Sequence, residues 1–393
     1  MQAFTYHVPT KVIFGRDTES QSGQAVRAAG GTTVLVLYGG GSAVKSGLVD
    51  RVTASLEADG LTWYVKGGIQ PNPVLHFVNE TLAEYADKGI DFILAVGGGS
   101  VLDTAKALGV GFPRPKTPVW DYFSGKEIPL TAVPVGAVLT IAAAGSETSD
   151  STVITNQATG EKRGFNSQLH RPSFAIMNPE LTYTLPPYQT ACGVADIMMH
   201  TMDRYFSDVD GNELTDAMAE AILRTVIQFG QAALEDPADY QARSEVMWCG
   251  SLSHNNLTGL GRTKDFTVHQ LGHELSGGYG IAHGASLTIM WPAWAKKVWG
   301  KDPARFARLG RTVFGVTELE DEKAAVVTIS AVETVFQSMG LPTSLGRSEI
   351  GVLSAEALEA VALGCSRNKS RSVGAFYPLD RDGLLEVYRT ANL

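Results

Sequence analysis

Cysteine is scarce in this sequence: Cys192, Cys249 and Cys365 are the only three among 393 residues, far apart and odd in number. Such a set argues against a disulfide framework and against a zinc site built on paired C-x-x-C motifs, and it suits a reducing cytoplasm. Long apolar runs are also missing. The longest, around Ala132 to Ala144, is broken by Pro134 and Gly136 and is too short to span a bilayer. The opening MQAFTYHVPTKVIFG has no basic stretch leading into an apolar segment, so no secretory signal is expected. Positive charge is in deficit, with 32 Lys and Arg against 41 Asp and Glu, a net of −9. That balance speaks against non-specific binding to nucleic acid or to an anionic membrane. There is no internal repeat and no low-complexity tract.

What is present reads as two halves. The chain is long enough for two domains, each with its own core, and its 44% hydrophobic and 19% charged residues are those of a soluble globular protein. In the first half, short apolar runs alternate with helical patterns. Strands are predicted at residues 33–38, 61–65 and 91–96, and helices at 45–58, 74–88 and 101–110, an alternation that implies a mostly parallel sheet covered on both faces. Further strands are predicted at 131–134 and 151–155, the latter turning through NQATG into a hairpin with 162–165. Near Thr184-Leu185-Pro186-Pro187 the character changes, with Thr184 as a candidate N-cap. Long helical patterns follow, punctuated at Gly277-Gly278 and Gly340-Leu341-Pro342. The expected domains are therefore residues 1–187 and 188–393.

Two glycine clusters follow strands: Gly39-Gly40-Gly41-Ser42 after Tyr38, and Gly97-Gly98-Gly99-Ser100 after Val96. Glycine lets backbone N–H groups approach an anion, and a following helix start favours negative charge. Each cluster alone is either a phosphate site or a tight turn; two at the carboxyl ends of strands in one sheet favour a nucleotide crevice. Neither is the G-x-G-x-x-G fingerprint. Asp103, in the first turn after the second cluster, is placed either to bond a ribose or nicotinamide group or simply to complement the helix dipole. After the first cluster no carboxylate occurs before Asp50. Ser42 and Lys45 are instead placed to accept a 2′-phosphate, which makes NADP(H) the expected cofactor over NAD(H).

The second half carries an unusual grouping for a chain with eight histidines. Asp196 and His200 are four apart in a helical stretch and so share one face. His269 and His273 form a second such pair, and His283 follows. Taken singly, each reads as a salt link or a core histidine; taken together, they read as a metal site. A zinc-protease H-E-x-x-H helix does not fit, because Gln270 rather than Glu follows His269.

At these residues the sequence resembles the iron-containing (group III) alcohol dehydrogenase family, and within it the NADPH-dependent butanol dehydrogenase or aldehyde reductase branch. The likeness runs through PTKVIFG, YGGGSAVKSG, QPNP, GGGSVLDTAK, GSET, LPPYQTACGVADIMMH and HQLGHELSGGYGIAHGASL. It implies a Rossmann-like α/β N-terminal domain and an all-α metal-binding C-terminal domain, the dehydroquinate synthase-like architecture. It implies one divalent ion, Fe2+ or Zn2+, held by Asp196, His200, His269 and His283, with His273 near the nicotinamide as a proton relay. It places the cofactor against Gly40, Ser42 and Lys45, against Gly97, Gly98, Gly99, Ser100 and Asp103, and along Thr140, Ser149 and Lys162, with Asn72 near the nicotinamide. Val153, Leu260 and Cys365 would line the substrate pocket. One departure stands out: Ala143 and Ala144 occupy positions where the family more often has Gly and Thr, which removes a hydroxyl.

The reaction implied is hydride transfer between NADP(H), or NAD(H), and a short-to-medium primary alcohol or aldehyde. The metal acts as Lewis acid, and the nicotinamide lies across the crevice between domains. A glycerol dehydrogenase-like enzyme using NAD(H) is the rival within the superfamily. A dehydroquinate synthase-like lyase would need a basic cluster near residues 269–283 that the sequence does not show. A non-catalytic nucleotide-binding module with a structural metal would use a cysteine-rich site. The family habit also implies a homodimer.

Overall fold

The computed structural model describes residues 1–393 and divides them into two units. One is His7–Thr184; the other joins Met1–Tyr6 to Leu185–Leu393. The first six residues go with the helical unit because Gln2 N donates to Gly261 O at 2.8 Å.

The α/β unit is built on eight strands: β1 (Lys11–Phe14), β2 (Thr33–Tyr38), β3 (Thr62–Lys66), β4 (Phe92–Gly97), β5 (Val135–Leu139), β6 (Ser151–Asn156), β7 (Glu161–Asn166) and β8 (Phe174–Met177). Six form one sheet in the order β1-β8-β5-β4-β2-β3, and every pairing in it is parallel. β4 and β5 are buried along their whole length, as continuous apolar runs in a doubly covered sheet must be. Val34, Val36, Leu94 and Val96 pack with Val49, Val52 and Leu56 of the Leu48–Ala58 helix. Each such aliphatic side chain stabilises the fold by about 1.5–3 kcal/mol when fully buried.

Three details differ from the sequence expectation. The strand predicted at 131–134 begins instead at Val135, because Pro134 has no N–H to donate to a ladder and supplies only its carbonyl to Ile93 N. The single helix predicted at 45–58 is two, Ser42–Lys45 and Leu48–Ala58, divided by Gly47 at φ +68. β1 and β8, four residues each, add strands to the sheet beyond those expected. The hairpin of β6 and β7 forms as expected, antiparallel, with Asn156 opposite Glu161.

The other unit is helical. Its segments Pro187–Tyr205, Tyr240–His254, Thr267–Tyr279 and His283–Val298 carry the site described below. Thr184 does not cap the first of these; Pro186 occupies the N-cap and Pro187 the first turn, where a missing N–H costs nothing. The Thr267–Tyr279 helix continues through Gly277 and Gly278 and stops at Gly280, in the left-handed region at φ +75. No helix is long and apolar enough to cross a membrane.

Candidate metal centre and cofactor turns

The Pro187–Tyr205 helix is buried from Thr190 onward, and its Asp196, His200 and Asp203 lie on one face. His269 projects from the Thr267–Tyr279 helix and His283 opens the next. Asp196 Oδ1 lies 3.4 Å from His200 Nε2, 3.6 Å from His269 Nε2 and 3.8 Å from His283 Nε2. Donor atoms about 2.1 Å from one ion in a tetrahedral arrangement stand about 3.4 Å apart. The four expected ligands are thus brought together. Asp196, His200 and His269 form the tight buried group. The His283 side chain, at 27% exposure against 4–6% for the other three, marks the open side.

The donor atoms also fit a cation chemically. Asp196 Oδ1 and His269 Nε2 are buried with no hydrogen-bond partner, an arrangement that is costly unless something positive sits among them. His269 Nδ1 donates to Asp203 Oδ2, which fixes the tautomer and turns the Nε2 lone pair inward. Burial disfavours the His269 imidazolium, yet Asp196 and Asp203 outweigh it and lift the group to about 9. Burial, followed by repulsion from His254, holds His200 well below its ordinary value, in the neutral form a ligand needs. The His273 ring stands 5.3 Å from that of His283 and 6.3 Å from that of His269.

Three neighbours were not expected from the sequence. Asp203 continues the Asp196–His200 face at i+7, a spacing that could have revealed it. Phe266, at φ +57, is a bulky residue in the left-handed region; its ring packs 5.3 Å from His269 and 6.2 Å from His200, under the Arg204 guanidinium at 4.8 Å. Asp265 holds that strained turn by accepting from the N–H groups of Thr267, Ala375 and Phe376. His254 is the third, with its ring 3.8 Å from that of His200.

In the α/β unit both glycine turns meet at one place. From β2 the chain goes to β3 on one side and returns to β4 on the other, which makes the β2/β4 border the topological switch point, with Tyr38 beside Val96. Gly40, Ser42 and Lys45 are exposed there. The second turn runs from β4 directly into the Gly99–Gly111 helix, capped by Gly98. A Cβ at Gly98 would meet Ile141 at 3.0 Å and one at Gly99 would meet Ala144 at 3.5 Å, so the loop after β5 lies close over this turn. Thr140 N donates to Gly97 O, while Ser100 is half-buried beyond it. Lys162 Nζ donates to Asn72 Oδ1 at 2.8 Å, joining two expected cofactor residues.

Asp103 and Ser149 are engaged internally. The Asp103 carboxylate accepts from Ser146 Oγ and Val153 N, and burial raises it to about 6. Ser149 is fully buried and its Oγ caps Ser151 N. Beside them the ammonium of buried Lys106 donates to Ser146 Oγ and to the carbonyls of Ser146, Ser149 and Ser151. Of the expected pocket residues, Cys365 is fully buried and Val153 and Leu260 half-buried.

Both halves of the chain match known proteins. Residues 9–179 match the iron-containing alcohol dehydrogenase family, and residues 190–392 match the C-terminal part of the Fe-containing alcohol dehydrogenase family. The chain is 36% identical over 391 residues to NADH-dependent butanol dehydrogenase A of Clostridium acetobutylicum, covering 99% of each. It is 34% identical over 395 residues to NADPH-dependent aldehyde reductase YqhD of Escherichia coli, covering 100% of each. The crystal structure of NADH-dependent butanol dehydrogenase A from Thermotoga maritima aligns with a TM-score of 0.95 at 35% identity, over 100% of this chain and 99% of that one. The parallel sheet and the helical unit are each spanned by these matches, and the chain belongs to the iron-containing alcohol dehydrogenase family of oxidoreductases acting on CH–OH groups.

Proposed function

We propose that this chain reduces short-to-medium aldehydes to primary alcohols, and catalyses the reverse oxidation, with NADP(H) as the preferred cofactor and one iron or zinc ion. The observation that carries the reading is the convergence of three imidazole nitrogens on Asp196 Oδ1 within 3.8 Å. A divalent ion held by Asp196, His200, His269 and His283 supplies Lewis acidity to a carbonyl oxygen. A bound nicotinamide supplies the hydride. Asp203 keeps the His269 ring oriented, and Phe266 with the buried helix faces excludes water from one side of the donors. His273, an imidazole next to His283, is suited to pass a proton to the product oxygen.

On the cofactor side, Gly97, Gly98, Gly99 and Ser100 offer the pyrophosphate backbone amides at a helix start. Gly40, Ser42 and Lys45 suit a 2′-phosphate, and Asn72 and Lys162 suit the nicotinamide end, with Thr140 at the turn. Asp103 and Ser149 serve this site by holding the loop Gly145–Ser151. NAD(H) is the second reading, favoured by relatives named as NADH-dependent butanol dehydrogenases. Homodimeric assembly belongs to the same reading and is checked by light scattering.

The test follows absorbance at the reduced nicotinamide band as protein meets butanal with NADPH or NADH, with and without a chelator. Chelator-sensitive oxidation that is faster with NADPH supports the reading. Faster use of NADH overturns the role of Ser42 and Lys45, and activity indifferent to metal removal overturns the site.

A further inference from the structure

Asp265 bonds to both of the helices that carry Asp196, His200 and His269. Its N–H donates to the carbonyl of Asp203 at 2.8 Å. Its carboxylate Oδ1 accepts from Thr267 N, the first residue of the His269 helix, at 3.0 Å. The other oxygen, Oδ2, accepts from Ala375 N at 2.9 Å and from Phe376 N at 2.8 Å. Those two N–H groups belong to a turn that Val373 and Leu379 close by exchanging a pair of backbone hydrogen bonds. One buried side chain therefore joins three segments. We propose that Asp265 is a positioning residue of the proposed metal centre: it latches the 373–379 turn onto the start of the His269 helix, and this latch seats the His269 ring on Asp203.

The backbone at this joint needs an outside hold. Phe266, between Asp265 and Thr267, sits at φ +57, which a bulky side chain adopts only where its surroundings impose it. The bonds that fix the chain on either side of it both belong to Asp265: one to Asp203 O, the other from Thr267 N. Asp203 is also the residue whose carboxylate accepts from His269 Nδ1, so the two contacts share one anchor. Further along the same helix, Arg371 donates to Gln270 Oε1 at 2.7 Å and the Tyr388 hydroxyl to Leu271 O at 2.9 Å. The turn fits closely from its own side. A Cβ on Gly374, at φ +100, would lie 2.4 Å from Thr267 Oγ1 and 3.0 Å from Asp265 Oδ2, so only glycine serves where the turn meets the helix. The chemistry calls for a carboxylate. Three N–H donors converge on two oxygens, and asparagine would replace one oxygen by an amino group and set donor against donor.

The effect on metal affinity rests on the metal reading above, and the experiment separates the two. Metal-free protein carrying isotope-labelled histidine is followed by NMR for the hydrogen-bonded Nδ1–H of His269, assigned by its loss in His269→Gln. Zinc(II) affinity is then measured by chelator competition. Wild type is compared with Asp265→Asn, with Gly374→Ala and with Val34→Ala, a control that opens the sheet core of the other unit, all at a temperature where each is folded. Asp265→Asn and Gly374→Ala are expected to shift or lose the ring signal and to bind zinc roughly tenfold or more weakly. Val34→Ala is expected to keep both. Where asparagine prevents folding, Gly374→Ala decides. A ring signal and zinc affinity that stay at wild-type values in the folded variants overturn the proposal. So does a control that disturbs them as much, or a wild type without the signal. Wild type that binds no zinc overturns the metal reading, and the ring signal alone then decides this one.

Discussion

At the scale of single residues, the proposed metal centre depends on groups outside its donor set. Asp203 accepts the hydrogen bond from His269 Nδ1–H and so decides where the other nitrogen's lone pair points. Asp203→Asn is expected to weaken metal binding about 10–100-fold while leaving the four donors in place, measured by chelator competition. Lys106 is a second such residue. Its buried ammonium satisfies three carbonyls and a hydroxyl of one loop. Lys106→Met leaves the Asp103 carboxylate buried without its counter-charge and is expected to cost about 3–5 kcal/mol in urea denaturation. His170 reports acid sensitivity. Burial, then the nearby Lys106 charge, depresses its imidazole to about 3 from an ordinary value near 6.5. Because the unfolded chain binds a proton that the folded one refuses, this group's stabilisation is complete above pH 6.5 and is lost as pH falls toward 3, by about 1.4 kcal/mol per pH unit. Between pH 6.5 and 5.5 the unfolding free energy of the wild type should fall by about 1 kcal/mol more than that of His170→Gln, in urea denaturation at each pH.

At the scale of elements, the site exists because two helices are allowed to touch. A Cβ on Gly284 would lie 2.1 Å from the backbone oxygen of Cys192, one turn before Asp196. Gly284→Ala therefore has to push the His283 helix off the Asp196 helix, since backbone cannot swing aside as a side chain can. A loss of about 1–3 kcal/mol in thermal stability is expected, together with lower bound metal measured by elemental analysis. This element-level requirement was invisible in the sequence, where Gly284 is one glycine among many. What was legible had a period. The i, i+4 pairs Asp196/His200 and His269/His273 and the glycines after β2 and β4 announced themselves because helix and strand geometry repeat. β1 and β8 did not, because four-residue strands carry too little alternation to register. Asp203 and His254 were missed for different reasons: the first continued a readable face, whereas the second is brought to the site only by the packing of its helix against that of His200.

At the scale of the whole molecule, the four proposed metal donors all lie in the helical unit and both glycine turns in the other. Ligands that bind only the folded form should therefore stabilise different parts of the chain. In scanning calorimetry, metal at about 100 times its dissociation constant is expected to add about 2.7 kcal/mol, or about 5–10 °C, to the transition of the helical unit. NADPH is expected to raise the other transition. A single transition moved equally by either ligand would show that the two units unfold as one.

The pairing of Gln2 with Gly261 has a further consequence for biosynthesis. It makes residues 7–184 an insertion within a discontinuous helical unit. During synthesis the segment Met1–Tyr6 has no berth until residue 261 has left the ribosome, so the helical unit is completed only after residues 7–184 have been made. A bulky fusion placed directly before Met1 would therefore burden the maturation of the helical unit rather than that of the α/β unit that follows it in the chain.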